Sequence, residues 1–146
     1  MNLENDIIQS HIIYTSYFGN IQKIAKICPN MCFVSIAGKS PDWFDGIRYK
    51  PLMPIYSWWR EWHDMFINDL ESDYSRSWYI KKYVNTVLSK LKPYDIKNEL
   101  TMLVNSNNIV LLCYETPEKF CHRHIVADWF NANGIKCIEW KNEDKK

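Results

Sequence analysis

Residues 107–140 read NNIVLLCYETPEKFCHRHIVADWFNANGIKCIEW, and this stretch decides the fold class. A continuous apolar run over 108–114 predicts a strand that is buried on both faces. Apolar residues at helical spacing over 122–133 predict an amphipathic helix, and Gly134 suits its carboxyl-terminal cap. Residues 135–140 predict the next strand. A strand, a helix and a strand in succession predict a crossover connection and hence a parallel sheet.

The preceding part of the chain shows the same alternation of strands and helices. β-branched and aromatic residues predict strands around 11–16 and over 31–37. Four further helices are predicted, over 21–28, 55–70, 74–91 and 93–104. Residues 38–54 contain two Gly and three Pro and predict a long loop. We therefore predict an α/β fold, a Rossmann-like three-layer domain with a mainly parallel four-stranded sheet.

The size and composition of the chain suit one globular domain. It has 146 residues, of which 47% are hydrophobic and 24% are charged. We expect a single domain over 1–146, with an aromatic-rich insertion at about 38–70 and a frayed tail at 141–146. The net charge of +1 gives no general argument for a nucleic acid or membrane partner.

The sequence also bears on the compartment in which the protein works. No basic segment followed by a long apolar one opens the chain, and no apolar run approaches the ~18 residues that a membrane helix needs. We therefore expect a cytoplasmic protein without a membrane partner. Five cysteines without a regular spacing predict reduced thiols rather than a disulfide framework. The sequence leaves open whether Cys113 and Cys121 form a disulfide, since the loop between them is short enough to permit one.

The predicted topology converts several polar residues into one candidate site. In parallel α/β sheets, ligands bind at the carboxyl ends of the strands. The residues that follow the strands in this way are Ser16 and Tyr17, Gly38 and Lys39, and Cys113, Glu115 and the turn Cys121, His122 and Arg123. This convergence depends on topology and not on any motif.

The turn that opens the last predicted helix carries the chemistry. The first N–H groups of a helix lack internal partners, bind anions and favour a thiolate. We predict that Arg123 and Lys39 hold an anion, with Ser16 and Gly38 completing the cradle. In the enzymatic form of this hypothesis, the nucleophile is Cys121 or Cys113, and His122 acts as general base or acid.

Structural roles are the alternative for the same residues. Cys113 ends a buried strand and is well placed for packing alone. His122 could serve only as a cap or as a packing residue. Arg123 at a helix start opposes the helix dipole, and an acidic partner such as Glu115 or Glu118 would account for it.

A metal site is a further alternative. Cys113, Cys121, His122 and His124 offer soft ligands, and a second pair is formed by Cys28 and Cys32. Zinc sites usually show two closely spaced pairs, and no partner for the Cys28 pair is evident in the sequence. We therefore assign no metal and no cofactor to the candidate site.

Three segments together resemble a known family. They are SYFGN, SIAGKSPDWFDG and LLCYETPEKFCHRHIVADWF, and the likeness runs from about residue 11 to 140. The chain resembles the domain of unknown function 488 family, whose signature is a strand ending in Cys, a loop with Glu and Pro, and Cys-His-Arg opening a helix. The resemblance implies a small α/β domain with its site at the Cys-His-Arg turn, and it implies no particular reaction.

Aromatic and basic residues are concentrated in residues 42–66, which contain four Trp, two Phe and two Tyr beside Arg48, Lys50 and Arg60. Most of these rings are expected to cover the core, with Trp58 and Trp62 on one helix face. In a functional interpretation, the loop is a lid whose exposed Trp43 stacks on a base while basic side chains contact phosphates.

The leading hypothesis is a protein that binds a small anionic ligand, a nucleotide or a nucleotide-derived molecule, at the strand ends. If it also processes this ligand, it is a Cys/His-dependent hydrolase or transferase. The alternatives are a nucleic-acid-binding protein that uses the basic aromatic loop and a small metal-binding α/β protein. A homodimer is compatible with the sequence, which does not determine the subunit number.

Overall fold

A computed structural model describes residues 12–142 as an α/β fold with one parallel sheet. Its strands are β1 (Ile13–Tyr17), β2 (Cys32–Ser35), β3 (Ile47–Arg48), β4 (Ile109–Cys113) and β5 (Cys137–Glu139). Its α-helices are α1 (Ile21–Ile27), α2 (Tyr56–Met65), α3 (Asp73–Thr86), α4 (Pro93–Val104) and α5 (His122–Ala132). Three short 3-10 helices cover Phe18–Asn20, Lys50–Leu52 and Leu88–Lys90.

The predicted α/β class is confirmed, and the predicted sheet is one strand short. The sheet has five strands in the order β3-β2-β4-β1-β5, and every pair of neighbours is parallel. The missed strand β3 lies inside the predicted loop 38–54. It spans two residues and pairs Ile47 with Val34 and Arg48 with Ser35. Two residues show no alternation of polar and apolar positions, so sequence periodicity could not identify this strand.

Gly46 allows this loop to approach the sheet closely enough for β3 to pair. A Cβ atom at this position would lie 2.9 Å from the carbonyl oxygen of Phe33 and 2.5 Å from the ring of Phe44. Any larger residue would therefore push the loop away from β2.

Two predicted helices are shorter than expected. Helix 55–70 ends at Met65, and helix 74–91 becomes α3 followed by the 3-10 turn Leu88–Lys90. The chain is not α-helical between Met65 and Asp73. Helix α3 begins after Ser72, whose Oγ accepts a hydrogen bond from the backbone N–H of Ser75 and thereby caps the helix. Among the described residues, no helix is both long and apolar enough to span a bilayer.

Two predictions fall partly outside the described residues. The first strand was predicted around 11–16, and residue 11 is not described; β1 begins at Ile13 and continues to Tyr17. The predicted frayed tail covers 141–146, and only 141 and 142 are described.

Side chains of β4 alternate between two apolar layers. Ile109 and Leu111 pack against the core formed with α2, α3, α4 and α5. Val110 and Leu112 face the opposite side, where α1 and the loop residue Phe44 cover the sheet. All five residues of β4 are buried, as the continuous apolar run predicted. The three layers are thus unequal, with four helices on one face and one short helix on the other.

Two tryptophans join α2 to α3, and both are core residues as predicted. The indole N–H of Trp58 donates to Thr86 Oγ1 at 2.9 Å. That of Trp62 donates to Ser75 Oγ at 2.9 Å. Because each buried N–H has a partner, these two rings can pack in the core without an unpaired donor. The α2–α3 pair in turn forms one wall of the site described below.

The central strand should dominate stability. Leu111 is fully buried in β4, whereas Leu103 in α4 is 50% exposed. We expect Leu111→Ala to lower the free energy of unfolding by about 2–5 kcal/mol, because it leaves a cavity between packed layers. The matched substitution Leu103→Ala should cost less than about 1 kcal/mol. Urea unfolding of both variants measures the difference, and equal losses would contradict this assignment of the core.

Candidate functional site

A cavity of about 1050 Å³ opens at the carboxyl ends of β2 and β4. We call it the strand-end cavity. Its floor is formed by Ala37, Gly38 and Lys39 after β2, by Cys113 at the end of β4, and by Glu115, Cys121 and His122 after β4. Residues 50–63 and the end of α3 form much of the rest of the wall. The cavity therefore lies at the edge of the sheet where parallel topology predicts a ligand.

The strand order explains why a cavity forms there. β2 and β4 are neighbours, but the chain leaves β2 toward β3 at one edge of the sheet. It leaves β4 through α5 toward β5 at the other edge. Because the two connections diverge, a crevice remains between the strand ends.

The two cysteines of the turn face each other across the loop 114–120. Cys113 is the last residue of β4, and Cys121 is the extended N-cap residue of α5. Both are buried, and the structure joins them as a disulfide. This pairing differs from the general prediction of reduced thiols. For Cys113 and Cys121 the sequence left a disulfide open, because the loop between them is short enough to permit one and geometry decides. Cys28, Cys32 and Cys137 are free.

Glu71, which precedes α3, holds the far end of this loop. Its carboxylate accepts a hydrogen bond from the backbone N–H of Phe120 at 3.1 Å and pairs with Arg76 at 2.6 Å. The guanidinium of Arg76 also lies 5.8 Å above the ring of Phe120. These contacts keep Phe120 and Cys121 against the strand-end cavity.

His122 is enclosed and makes a directed hydrogen bond. Its Nε2 lies 2.6 Å from the carbonyl oxygen of Ile36, and the rings of Tyr79 and Tyr83 pack nearby. Burial lowers its pKa to about 4, with smaller contributions from Arg123 and His124. A carbonyl oxygen can only accept, so the neutral ring carries its proton on Nε2 and a lone pair on Nδ1. A general acid or base works best when its pKa is near the working pH, so this imidazole is poorly suited to proton transfer near neutral pH. A ring that stays neutral is better suited to binding a metal ion through its lone pair.

Arg123 lies beneath the cysteines rather than in the cavity. Its side chain is 0% exposed. Nε and Nη2 donate to the two carboxylate oxygens of Glu139 at 3.0 and 2.9 Å. Nη1 donates to Cys113 Sγ at 3.4 Å. The predicted role of Arg123 in holding a ligand anion is therefore not visible in its contacts, because its donors are directed at Glu139 and at sulfur.

Glu139 is the residue that sequence reasoning missed. The expected acidic partners of Arg123 were Glu115 and Glu118, but its ion pair is with Glu139. Glu139 lies in β5, directly beside Thr15 of β1, and Thr15 Oγ1 donates to Glu139 Oε1 at 2.6 Å. The sequence did show an acidic residue in the last predicted strand. It could be recognised as the partner of Arg123 only once the position of β5 beside β1 was known.

The structure brings six of the ten predicted site residues to the strand-end cavity. They are Gly38, Lys39, Cys113, Glu115, Cys121 and His122. Besides Arg123, three others do not line it. Ser16 is buried and accepts a hydrogen bond from Asn20 at 3.1 Å, Tyr17 lies in β1 beside Cys113, and Trp43 is 64% exposed with its ring against Phe18. A ligand role for these three stays a prediction without support from the cavity.

One wall of the cavity is an aromatic row that the sequence analysis did not assign to the site. Tyr56 and Trp59 are stacked with ring centroids 6.4 Å apart, and Trp59 and His63 are stacked at 5.1 Å. The three residues lie along one side of α2, three and four positions apart, and all line the cavity. This helical spacing was the available signal, but the sequence did not show which side faces the strand ends.

The ion pair beneath the cysteines should be needed for stability. We expect Glu139→Ala to lower the free energy of unfolding by about 3–5 kcal/mol, because it leaves the buried Arg123 charge unpaired. Arg60 pairs with Asp64 on the exposed surface, so Arg60→Ala should cost less than about 1 kcal/mol. Chemical denaturation of the two variants compares them. A small loss for Glu139→Ala would show that Arg123 is not held by this carboxylate.

Stability should also fall with acid because of His122. The unfolded state takes up a proton at this residue near pH 6.5, whereas the folded state resists it until about pH 4. The contribution, about 3 kcal/mol, is present in full above pH 6.5 and is lost as the pH falls toward 4. Urea unfolding in a chelating buffer should show that the free energy of unfolding falls as the pH is lowered from 6.5 to 4. His122→Asn should reduce this pH dependence. The control variant His63→Asn should keep the pH dependence of the wild type, because it retains His122.

Comparison with known proteins agrees with the resemblance noted in the sequence. A family model described as DUF488-N3a, the active DUF488-N3 subclade, matches residues 34–134. This segment runs from within β2 to the second residue after α5 and contains every residue that lines the strand-end cavity. No match is found among the curated proteins or among the solved structures. The chain belongs to the domain of unknown function 488 family, in its active DUF488-N3 subclade.

Proposed function

We propose that this protein binds a small anionic molecule with an aromatic ring, of which a nucleotide is the simplest example, in the strand-end cavity. The observation that supports the proposal is that one cavity combines a stacked aromatic wall, basic side chains and the Cys113–Cys121–His122 floor. The chain also belongs to a subclade that is described as active, which supports looking for a working site within residues 34–134.

The charge of the cavity wall favours an anion. Lys39, Lys50 and Lys90 line the cavity, and Glu115 is the only carboxylate among the described residues that do so. Clefts lined by one sign of charge focus the field and concentrate ligands of the opposite sign. A phosphate group is compatible with three separate ammonium groups, each of which donates without a fixed geometry.

The aromatic row favours a planar ring on the same ligand. Trp59 lies between Tyr56 and His63 in the stacked row, and its indole is only partly buried. Stacking of a base on an aromatic side chain contributes about 1–3 kcal/mol. The volume of about 1050 Å³ is at the upper end of the usual range for ligand pockets. It leaves room for a nucleotide together with a second group.

Any chemistry on the ligand belongs to the floor of the cavity. In the disulfide-bonded form the Cys113 sulfur lies 3.4 Å from Nη1 of Arg123, and a guanidinium at this position would stabilise a negative charge on the sulfur once the pair is reduced. Cys121 stands at the start of α5, where free backbone N–H groups also favour a thiolate. In this proposal, positive charge from Arg123 and the helix start, rather than proton removal by His122, activates the sulfur that would attack the ligand.

Nucleotide binding can be measured directly on the reduced protein. Titration with adenosine nucleotides should quench tryptophan fluorescence, because Trp59 and Trp62 line the cavity. Lys39→Glu should weaken binding at least about tenfold, which corresponds to about 1.4 kcal/mol. Lys81 is exposed on α3 outside the cavity, so Lys81→Glu should bind like the wild type.

Two results would contradict the proposal. One is the absence of saturable binding by adenosine or guanosine nucleotides. The other is equal weakening by Lys39→Glu and Lys81→Glu, which would indicate a general charge effect rather than a contact in the cavity.

A single-stranded nucleic acid is the second candidate ligand, and one observation favours it. The aromatic row reaches the rim, where Tyr56 is 67% exposed and could stack on a neighbouring base. In that case a short single-stranded oligonucleotide should bind more tightly than the mononucleotide, and its affinity should fall steeply with salt. Equal affinities for both ligands would exclude this extension of the site.

A further inference from the structure

Three potential metal ligands meet at the floor of the strand-end cavity. Among the described residues, Cys113, Cys121 and His122 form the only group of three His, Cys, Asp or Glu side chains whose ligand atoms lie within 4.8 Å of one another. All three are buried and all three line the cavity. We propose that in the reduced protein these residues bind one zinc ion, with its fourth position open to the cavity.

The hydrogen bond of His122 has the form expected of a metal ligand. Ligating histidines usually donate their other ring N–H to a carboxylate or a backbone carbonyl, which fixes the tautomer and the ring orientation. Here Nε2 donates to the carbonyl oxygen of Ile36 at 2.6 Å, so Nδ1 keeps its lone pair. This bond ties the ligand to the end of β2, on the opposite side of the cavity floor from β4.

The spacing of the two cysteines also suits a shared ion. Their Cα atoms are 7.2 Å apart, whereas the Cα atoms of most disulfides are about 4.4–6.8 Å apart. Two thiolates on one tetrahedral zinc hold their sulfur atoms about 3.8 Å apart, as follows from a Zn–S bond of about 2.3 Å. Rotation about the Cα–Cβ bonds changes the sulfur separation while the backbone stays in place.

Buried charges cancel when zinc occupies this position. Two thiolates neutralise the divalent ion, and Arg123 is neutralised by Glu139. The hydrogen bond from Arg123 Nη1 to the Cys113 sulfur then orients a sulfur atom that binds the ion. An electroneutral cluster is what a buried position requires.

Zinc binding requires the reduced form of the pair. A dithiol reduces the Cys113–Cys121 disulfide to two thiols and itself becomes a disulfide; a phosphine does the same with one water molecule, which supplies the two protons and the oxygen of the phosphine oxide. The two thiols then bind the ion as thiolates and release two protons, while His122 binds as a neutral ring. Oxidation of the pair excludes zinc, since the sulfur atoms are then bonded to each other.

Three protein ligands and one open position describe a catalytic rather than a closed structural zinc site. The open position faces the strand-end cavity, so water or an oxygen atom of the bound anion can fill it. Glu115 is the carboxylate that lines the same floor. Only this assignment of the fourth ligand depends on the proposed nucleotide binding; the three protein ligands do not.

The other candidate ligands in the sequence lie elsewhere. His124 Nδ1 faces Glu139 Oε1 at 4.0 Å and lines a different cavity. Cys28 and Cys32 flank the turn between α1 and β2 and do not line the strand-end cavity. They therefore supply matched controls, because Cys28→Ser changes the same atom at a free cysteine outside the cluster.

Zinc protection of thiols tests the site without any variant. The protein is reduced with a phosphine and treated with an alkylating agent, with zinc or with a chelator, and the modified cysteines are identified by peptide mass spectrometry. Zinc should slow the alkylation of Cys113 and Cys121 at least about tenfold, and Cys28 should react equally in both conditions. Protection of Cys28 and Cys32 instead, or no protection of any thiol, would overturn the proposal.

Metal content and cobalt spectra complete the test. Native mass spectrometry should show one zinc in the reduced wild type and in Cys28→Ser, and none in Cys121→Ser or His122→Asn. In the wild type, cobalt in place of zinc should show thiolate-to-cobalt charge-transfer bands, which report the sulfur ligands. Its d–d bands should have the intensity that is typical of tetrahedral coordination. This measurement needs only the wild type, so it tests the site even if a variant fails to fold. An octahedral cobalt spectrum without thiolate bands would contradict the site.

The two proposals can fail independently. Lys39→Glu should retain one zinc while it loses nucleotide, because Lys39 is outside the ligand set. Zinc without nucleotide binding would leave the metal site standing and reject the proposed function. Nucleotide binding without zinc in the reduced protein would do the reverse.

Discussion

The buried ion pair between Arg123 and Glu139 is the interaction on which the rest of the structure depends. A fully enclosed guanidinium is tolerated only when its charge is paired and its donors are satisfied. Glu139 meets this requirement with two hydrogen bonds, and Thr15 holds the carboxylate from β1. The same guanidinium contacts the sulfur of Cys113. One charged pair thus connects α5, β5, β1 and the end of β4.

That arrangement places reactive groups where the chain leaves the sheet in two directions. The divergence after β2 and β4 opens the strand-end cavity, and the bond from His122 to Ile36 spans its floor. Arg123 supports this floor from below while lysines and stacked rings form the wall above. The cavity therefore combines anion binding with a sulfur and imidazole cluster, which is the basis of both proposals made for this protein.

Much of the site was predictable from the sequence because its residues lie next to strand ends. Gly38, Lys39 and Glu115 reach the cavity for this reason alone. Tyr56 and His63 were not predicted, since helical spacing shows which side chains share a side but not where that side points. β3 was missed because its two residues form a strand only through pairing with β2.

The sequence by itself determined the local patterns: the apolar run of β4, the amphipathic α5 and the Cys-His-Arg turn between them. The spacing of apolar residues and the residues that end a helix depend only on neighbouring positions in the chain. These patterns can therefore be recognised without knowledge of the fold. Tertiary structure alone decided that Glu139 neutralises Arg123, that the guanidinium faces inward, and that Cys113, Cys121 and His122 converge. These contacts depend on strand order, which places β5 beside β1 and is set by packing across the whole sheet.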